Sequence, residues 1–204
     1  MGYLLTFLLA YALGCSSMAL YLSKLKHVDF RAGGSGNLGA SNATILMGWK
    51  AGVLVGVHDI GKAALAVFLA KVFFPALPHV GAVAGVGCVL GHIWPLPMKF
   101  RGGKGFAPYI GMTLGLDWKL ALAVALLIVL VTLLLTDYIV AGTVTTILVV
   151  PAYLGWVRHS APLALILLVA TAVIFYKHRE NFSRVLAGTE IGLRSAARGD
   201  RRVK

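Results

Sequence analysis

The chain has 204 residues, of which 59% are hydrophobic and only 13% charged, with a mean hydropathy of +0.85 and a formal net charge of +12. A soluble domain carries roughly a quarter of its residues as charges, so this composition excludes a soluble enzyme and places the chain in a bilayer. Two cysteines do not make a disulfide scaffold; Cys15 and Cys88 both fall in apolar segments and read as packing residues.

A helix needs about 20 apolar residues to cross roughly 30 Å of hydrocarbon, where an unsatisfied backbone group is too costly to leave. Hydropathy predicts an all-α integral membrane protein with about seven such segments, at 3–23, 51–74, 78–97, 105–117, 118–136, 138–157 and 160–177. The N-terminal MGYLLTFLLAYALGC has no basic start, and its apolar run passes beyond a cleavage window, so it reads as a retained first helix. Ala12-Leu13-Gly14-Cys15 imitates a lipoprotein cleavage site only loosely. The fourth segment is short. Its separation from the fifth rests on Gly115-Leu116-Asp117-Trp118-Lys119, two charges and an aromatic anchor suited to an interfacial turn; without that turn there are six spans.

Seven spans sort the cations sharply. Lys24, Lys26, Arg31, Lys50, Lys99, Arg101, Lys104, Lys177, Arg179, Arg184, Arg194, Arg198, Arg201, Arg202 and Lys204 fall on one side, which is fifteen of the nineteen. Lys71, Lys119 and Arg158 fall on the other, and Lys62 lies within a span. Because Lys and Arg gather on the cytoplasmic side, the N-terminus is expected outside and the C-terminus in the cytoplasm of a bacterial inner membrane. The positive charge then serves topology and anionic lipid headgroups; spread over short loops, it makes a poor nucleic-acid surface. No repeat is evident, so residues 1–204 read as one transmembrane domain, with 190–204 as a basic tail.

This topology places three polar stretches on one face. The first, Gly33-Gly34-Ser35-Gly36-Asn37-Leu38-Gly39-Ala40-Ser41-Asn42, contains the spacing G-x-G-x-x-G at Gly34, Gly36 and Gly39, but no strand precedes it and no acidic residue follows as a βαβ unit requires. The dinucleotide reading therefore fails. Glycines still let backbone amides converge on an anion, Ser35, Asn37, Ser41 and Asn42 add neutral donors, and a helix starting near Asn42 would aim its positive end there. A merely flexible turn explains the same glycines.

The second stretch, Gly91-His92-Ile93-Trp94-Pro95 through Phe100-Arg101-Gly102-Gly103-Lys104-Gly105, is not a Walker A loop, since Met98 and Gly105 stand where Gly and Ser or Thr would be needed. Lys104 between glycines at a helix start suits an oxyanion or phosphate, and suits equally a cytoplasmic anchor. In the third stretch, Lys177, His178, Asn181 and Arg184 recur at helical spacing, with Phe182, Val185 and Leu186 on an apolar face that suits the interface. A snorkelling helix end accounts for these cations too.

Within the second span, His58, Asp59 and Lys62 are costly unless paired; Asp59 and Lys62, three apart, are placed to pair, either for structure alone or to brace a site. Asp137 adds a carboxylate in a turn on the same side. No Ser-His-Asp order, H-E-x-x-H motif or Cys/His metal set can be assembled from these candidates, so no metal and no cofactor are expected. The residues describe an anion-binding pocket open to lipid.

Taken together, GSGNLGASN, GHIWP with FRGGKG, and KHRENFSRVLAGTE resemble the three ordered motifs of the PlsY family of bacterial membrane glycerol-3-phosphate acyltransferases. The resemblance covers nearly the whole chain. It implies seven helices, cytoplasmic motif loops, and transfer of an acyl group from acyl phosphate to glycerol 3-phosphate, giving lysophosphatidic acid and phosphate. By the same resemblance Ser35, Lys104, His178 and Asn181 match positions that bind the polar substrates. Gly34, Gly36, Asn37, Gly39, Asn42, Gly102 and Gly103 are expected to contact phosphate or oxyanion, with Glu190 orienting its neighbours and Asp59 and Lys62 in support. Membrane lipid is the expected surrounding, and no obligatory protein partner is evident. Ile45 stands where the family commonly has arginine, Thr136-Asp137-Tyr138 where it has Ser-Arg-Tyr, and Pro108 where threonine is usual. Two other readings remain open at this point: a paralogue with a different acceptor or without activity, and a small anion transporter, against which stand the lack of inverted repeats and the one-sided polar motifs.

Overall fold

A computed structural model describes residues 1–192, so the tail cations Arg194, Arg198, Arg201, Arg202 and Lys204 lie outside the described residues. The chain is all-helical over those residues and divides into two compact units, Met1–Asp117 and a second beginning at Trp118. The boundary falls within the predicted 115–119 turn, where Asp117 is extended (φ −153°, ψ 104°) between two helices.

In the first unit, α1 (Gly2–Gly14) and α2 (Met18–Lys26) occupy the expected first span. That span is broken, because Ser17 leaves the helix (φ −141°) and its hydroxyl accepts the Leu20 N–H at 3.3 Å, capping α2 as a new start. A short helix, α3 (Ala40–Met47), begins two residues before Asn42 and joins through Gly48 to α4 (Trp49–Phe73), whose 25 residues are about 37 Å long. Helix α5 (Val80–Ile93) ends in a 3-10 turn at Leu96–Met98, and α6 (Phe106–Leu116) has 11 residues, about 16 Å, or half the hydrocarbon thickness.

Where α1, α4 and α5 meet, the buried residues are mostly small, with Ala10, Ala63, Ala66, Ala70, Ala84 and Cys88 packed as one cluster, while Phe30, Ile93, Tyr109 and Met112 are the large buried side chains elsewhere in the unit. Large apolar residues such as Leu8, Val57 and Phe68 point outward. Lipid is as apolar as leucine, so helix association here depends on close backbone approach rather than on hiding apolar area. A Cβ on Gly91 would collide with the Tyr11 carbonyl, one on Gly14 with the Cys88 backbone, and one on Gly87 would lie 2.8 Å from the Phe7 carbonyl oxygen. These glycines set the α1–α5 contact, and α4 packs against both α5 and α6.

In the second unit, α7 (Trp118–Val129) continues into a π-helical segment, Leu130–Thr136, and ends at Asp137 in the left-handed region (φ 67°). Helix α8 (Ile139–Val157) contains Pro151, which has no N–H for the Ile147 carbonyl; the Thr171 hydroxyl of α9 (Ala161–Lys177) donates to that carbonyl at 2.8 Å instead. Helix α10 (Arg179–Leu186) leaves α9 at a 47° bend. Lys177 is thus the last residue of α9, and the chain turns at His178 before α10 carries Asn181 and Arg184.

Five helices or helix runs, at Gly2–Lys26, Trp49–Phe73, Val80–Met98, Trp118–Thr136 and Ile139–Val157, are long and apolar enough to cross a membrane, and the bent α9–α10 pair makes a sixth. Phe106–Leu116 is the short apolar remainder of the predicted set. Gly91→Ala is expected to destabilise the protein by about 1–3 kcal/mol through overpacking against α1, whereas Gly61→Ala, whose added methyl meets nothing within 4 Å, leaves it unchanged. Thermal unfolding of both variants in detergent checks this.

Candidate active site

The glycine loop of the first unit is pinned by what it buries. Phe30 and Leu38 are 0% and 3% exposed and pack with Ala19, Ala43, Val55 and Met98, so the chain between them must arch outward. Asn42, 1% exposed, fills the arch: its Oδ1 accepts the Ser35 N–H at 2.8 Å, and its Nδ2 donates to the carbonyls of Phe30 (2.8 Å), Asn37 (2.9 Å) and Gly33 (3.3 Å). An amide can both give and accept, which this knot requires. Asn42 was expected to offer a donor to phosphate; its side chain is spent on the loop backbone.

Gly34 and Gly36 both take the left-handed region (φ 60° and 67°), and a Cβ on Gly34 would strike Asn42 Oδ1. The Gly36 N–H donates to Gly33 O at 3.1 Å, closing a tight turn, so this amide serves the loop rather than an anion. Ser35 and Ser41 remain exposed at the surface of the arch, Asn37 is half-buried, and Gly39 caps α3 in extended conformation. Ile45 is half exposed, with its Cγ2 within 3.3 Å of where a Gly34 Cβ would stand.

In the second loop the Gly102 and Gly103 amides donate to the carbonyls of Ile93 and His92, each at 3.1 Å. These amides too were expected to face phosphate; they satisfy the open C-terminal carbonyls of α5 instead. A Cβ on Gly102 would overlap the His92 carbonyl, and one on Gly103 the His92 ring. Lys104 follows, half-exposed, before Gly105 (φ 92°) starts α6. Arg31 ties the two loops together, its guanidinium donating to Arg101 O at 2.9 Å and Met98 O at 3.4 Å.

Below the loops, Lys62 and Asp59 form the expected ion pair at 2.8 Å, both almost fully buried. The ammonium also donates to Ser16 O at 2.6 Å and to His92 Nδ1 at 3.0 Å, so all three of its N–H bonds are used. Ser16, His58 and Asp59 do fall in the spatial order of a nucleophile, base and carboxylate, an order hidden in the sequence because Ser16 lies 42 residues before His58: Ser16 Oγ lies 2.9 Å from His58 Nε2, and His58 Nδ1 3.4 Å from Asp59 Oδ1. The carboxylate oxygen belongs to Lys62 at the shorter distance, and Tyr21 shares the Ser16 hydroxyl at 3.0 Å. The cluster therefore satisfies the polar groups of the α1–α2 break.

In the second unit His178 is buried at the α9–α10 bend, where its Nδ1 donates to Ile174 O at 2.8 Å. A carbonyl only accepts, so Nδ1 carries the proton and Nε2 is the basic nitrogen of the neutral ring. Glu190 folds back onto α10: one carboxylate oxygen accepts from Asn181 Nδ2 and the other from Arg184 Nε, each at 2.6 Å. Sequence reading gave no structural role to Arg31, His92, Ser16 or Leu38. Arg31 and His92 make contacts 70 and 30 residues away, which no local spacing announces.

The fold and these loops define a multi-pass membrane protein whose polar chemistry is held in glycine-rich turns and a basic helix end. The family model described as glycerol-3-phosphate acyltransferase matches residues 4–188. Glycerol-3-phosphate acyltransferase 1 of Oceanobacillus iheyensis is 34% identical over 202 residues, covering 96% of this chain and 97% of that one. The Rhodopseudomonas palustris glycerol-3-phosphate acyltransferase is 38% identical over 191 residues, covering 92% and 94%. Among solved structures, the glycerol 3-phosphate form of PlsY (YgiH), an integral membrane glycerol 3-phosphate acyltransferase, superposes with a TM-score of 0.89 at 31% identity, covering 97% of this chain and 98% of that one; its lysophosphatidic acid form gives 0.85 at 32%, covering 94% and 95%. The chain belongs to the glycerol-3-phosphate acyltransferase family.

Asn42→Ala removes the acceptor of the Ser35 amide and the donor to three carbonyls. It is expected to cost about 1–3 kcal/mol of stability and to lower activity more than exposed Ser41→Ala, which leaves melting unchanged. Melting temperature and initial rate, measured side by side, decide it.

Proposed function

We propose that this acyltransferase moves an acyl group from acyl phosphate to the sn-1 hydroxyl of glycerol 3-phosphate, giving lysophosphatidic acid and inorganic phosphate for phospholipid biosynthesis. Transfer to glycerol 3-phosphate with release of lysophosphatidic acid is the family's activity, and the related solved structures carry these two molecules in their descriptions. Acyl phosphate as the donor is what the family resemblance implies, and we adopt it. The observation that carries it is the pair of glycine loops latched by Arg31, which present Ser35 and Lys104 from a rigid frame with no reactive nucleophile set among them.

An acyl phosphate needs no further activation. The acceptor hydroxyl attacks the carbonyl carbon, the bond from that carbon to the phosphate oxygen breaks, and the departing phosphate takes the hydroxyl proton. Positioning and charge neutralisation then supply the acceleration. In this reading Ser35 and Lys104 contact phosphate, as do Gly34, Asn37 and Gly39. Asn42, Gly36, Gly102 and Gly103 hold the loops. His178 and Asn181 bind polar substrate groups, and Glu190 orients Asn181 through its 2.6 Å hydrogen bond.

We further propose one transmembrane domain of seven crossings, with the N-terminus outside, residues 190–204 as a basic cytoplasmic tail, and the motif loops on the cytoplasmic side of a bacterial inner membrane. Fifteen of nineteen cations on that side support this topology. Ile45, apolar and exposed beside the glycine loop, favours a second reading in which a different hydroxylated acceptor is used.

Purified protein given palmitoyl phosphate and glycerol 3-phosphate is expected to release phosphate and lysophosphatidic acid in equal amounts, and to make none from a palmitoyl thioester. Phosphate release without lysophosphatidic acid assigns another acceptor; thioester use overturns the donor. Lys104→Ala should lower kcat/KM severely, by about a hundredfold, with melting unchanged; a parallel loss of both makes the lysine structural.

A further inference from the structure

The mechanism above leaves His92 without a role, although it is buried where the ion pair meets the second loop. Lys62 has no acceptor to offer, so at 3.0 Å the His92 Nδ1 must be the acceptor, and the ring proton sits on Nε2. The 3.4 Å approach of the same Nδ1 to Asp59 is then a spacing set by their shared ammonium. That hydrogen bond fixes the ring's plane and tautomer from α4. On its other side the ring fills the space over Gly103: a methyl there would overlap Nε2, Cε1 and Cδ2. The His92 carbonyl holds the Gly103 amide at 3.1 Å, and the Ile93 carbonyl holds Gly102. Ring and carbonyl together clamp both glycines preceding Lys104.

We propose that His92 is a positioning residue: oriented by Lys62, it sets the course of Gly102-Gly103 and thereby the point from which Lys104 reaches phosphate. The intramembrane ion pair thus acts on the reaction through one imidazole. Asp59 and Lys62 neutralise each other at 2.8 Å without His92. The third N–H of the ammonium still needs an acceptor in the membrane, and taking it from a side chain on the loop-bearing helix, where any acceptor would serve burial alone, couples the pair to the second loop.

The proposal rests on Lys104 contacting phosphate, and its test separates the two. Initial rates with both substrates varied would be measured for wild type, Lys104→Ala, His92→Ala, His92→Asn, Gly103→Ala and the double variant His92→Ala/Gly103→Ala, each with its melting temperature. Asparagine places its Oδ1 where the imidazole has Nδ1, so it keeps the acceptor for Lys62. His92→Ala is expected to raise the KM of a phosphorylated substrate and lower kcat/KM ten- to a hundredfold, about the effect of a displacement near 1 Å, while His92→Asn recovers most of the loss. Gly103→Ala should be damaging in wild type and far less so beside His92→Ala, where the ring no longer occupies the methyl's space.

If Lys104→Ala is harmless, the reading of Lys104 fails. If Lys104→Ala is inactive but His92→Ala retains wild-type KM and kcat, or His92→Asn is no better than His92→Ala while both melt as wild type, the positioning role is overturned. Should His92→Ala fail to fold, the cycle is run with His92→Asn and Gly103→Ala; additive effects on kcat/KM then overturn it equally.

Discussion

Lys62 brings an ammonium to the middle of a membrane helix, and much of the first unit is arranged around satisfying its three N–H bonds. One goes to Ser16 O at the break between α1 and α2, one to Asp59 one helical turn back along α4, and one to His92 at the end of α5. A bilayer supplies no water to make up a missing partner, so each of these contacts is obligatory in a way that a surface salt bridge is not. The broken first span, the 2.8 Å ion pair and the His92 ring all meet at the same ammonium.

Everything else in that unit lets the helices come close enough for this to work. Glycine and alanine at the α1–α5 and α4–α5 contacts bring backbones together, and the long apolar side chains are left to face lipid. The loops follow an opposite rule. They are held by polar groups working inward, Asn42 on the first loop, the α5 carbonyls on the second and Arg31 between them, which leaves Ser35 at the surface of the arch. Preorganisation of this kind suits a reaction whose donor is already activated, since the protein has charges to place rather than bonds to make.

Local spacing revealed the features that local chemistry determines. Hydropathy located the helices, the Asp117-Trp118-Lys119 cluster marked the boundary after α6, and the i, i+3 separation of Asp59 and Lys62 anticipated their pairing. The glycine loops were visible as polar islands, but not the direction of their amides: Gly36, Gly102 and Gly103 bond within the protein because a tight turn and the end of α5 claim them first. Helical periodicity runs unbroken through His178, yet the chain bends there by 47° between α9 and α10. Arg31 looked like one more cytoplasmic cation, since nothing in its own neighbourhood refers to Met98 or Arg101.

Direct transfer is the central claim, and Ser16 offers the sharpest challenge to it, because its hydroxyl lies 2.9 Å from a histidine nitrogen that is itself beside a carboxylate. The decisive measurement is the intact mass of the purified protein after incubation with palmitoyl phosphate in the absence of glycerol 3-phosphate, with phosphate release followed in the same sample. Direct transfer predicts an unmodified chain and no burst of phosphate. One palmitoyl group per chain, released on adding glycerol 3-phosphate and abolished by Ser16→Ala, would contradict it and make that serine the nucleophile.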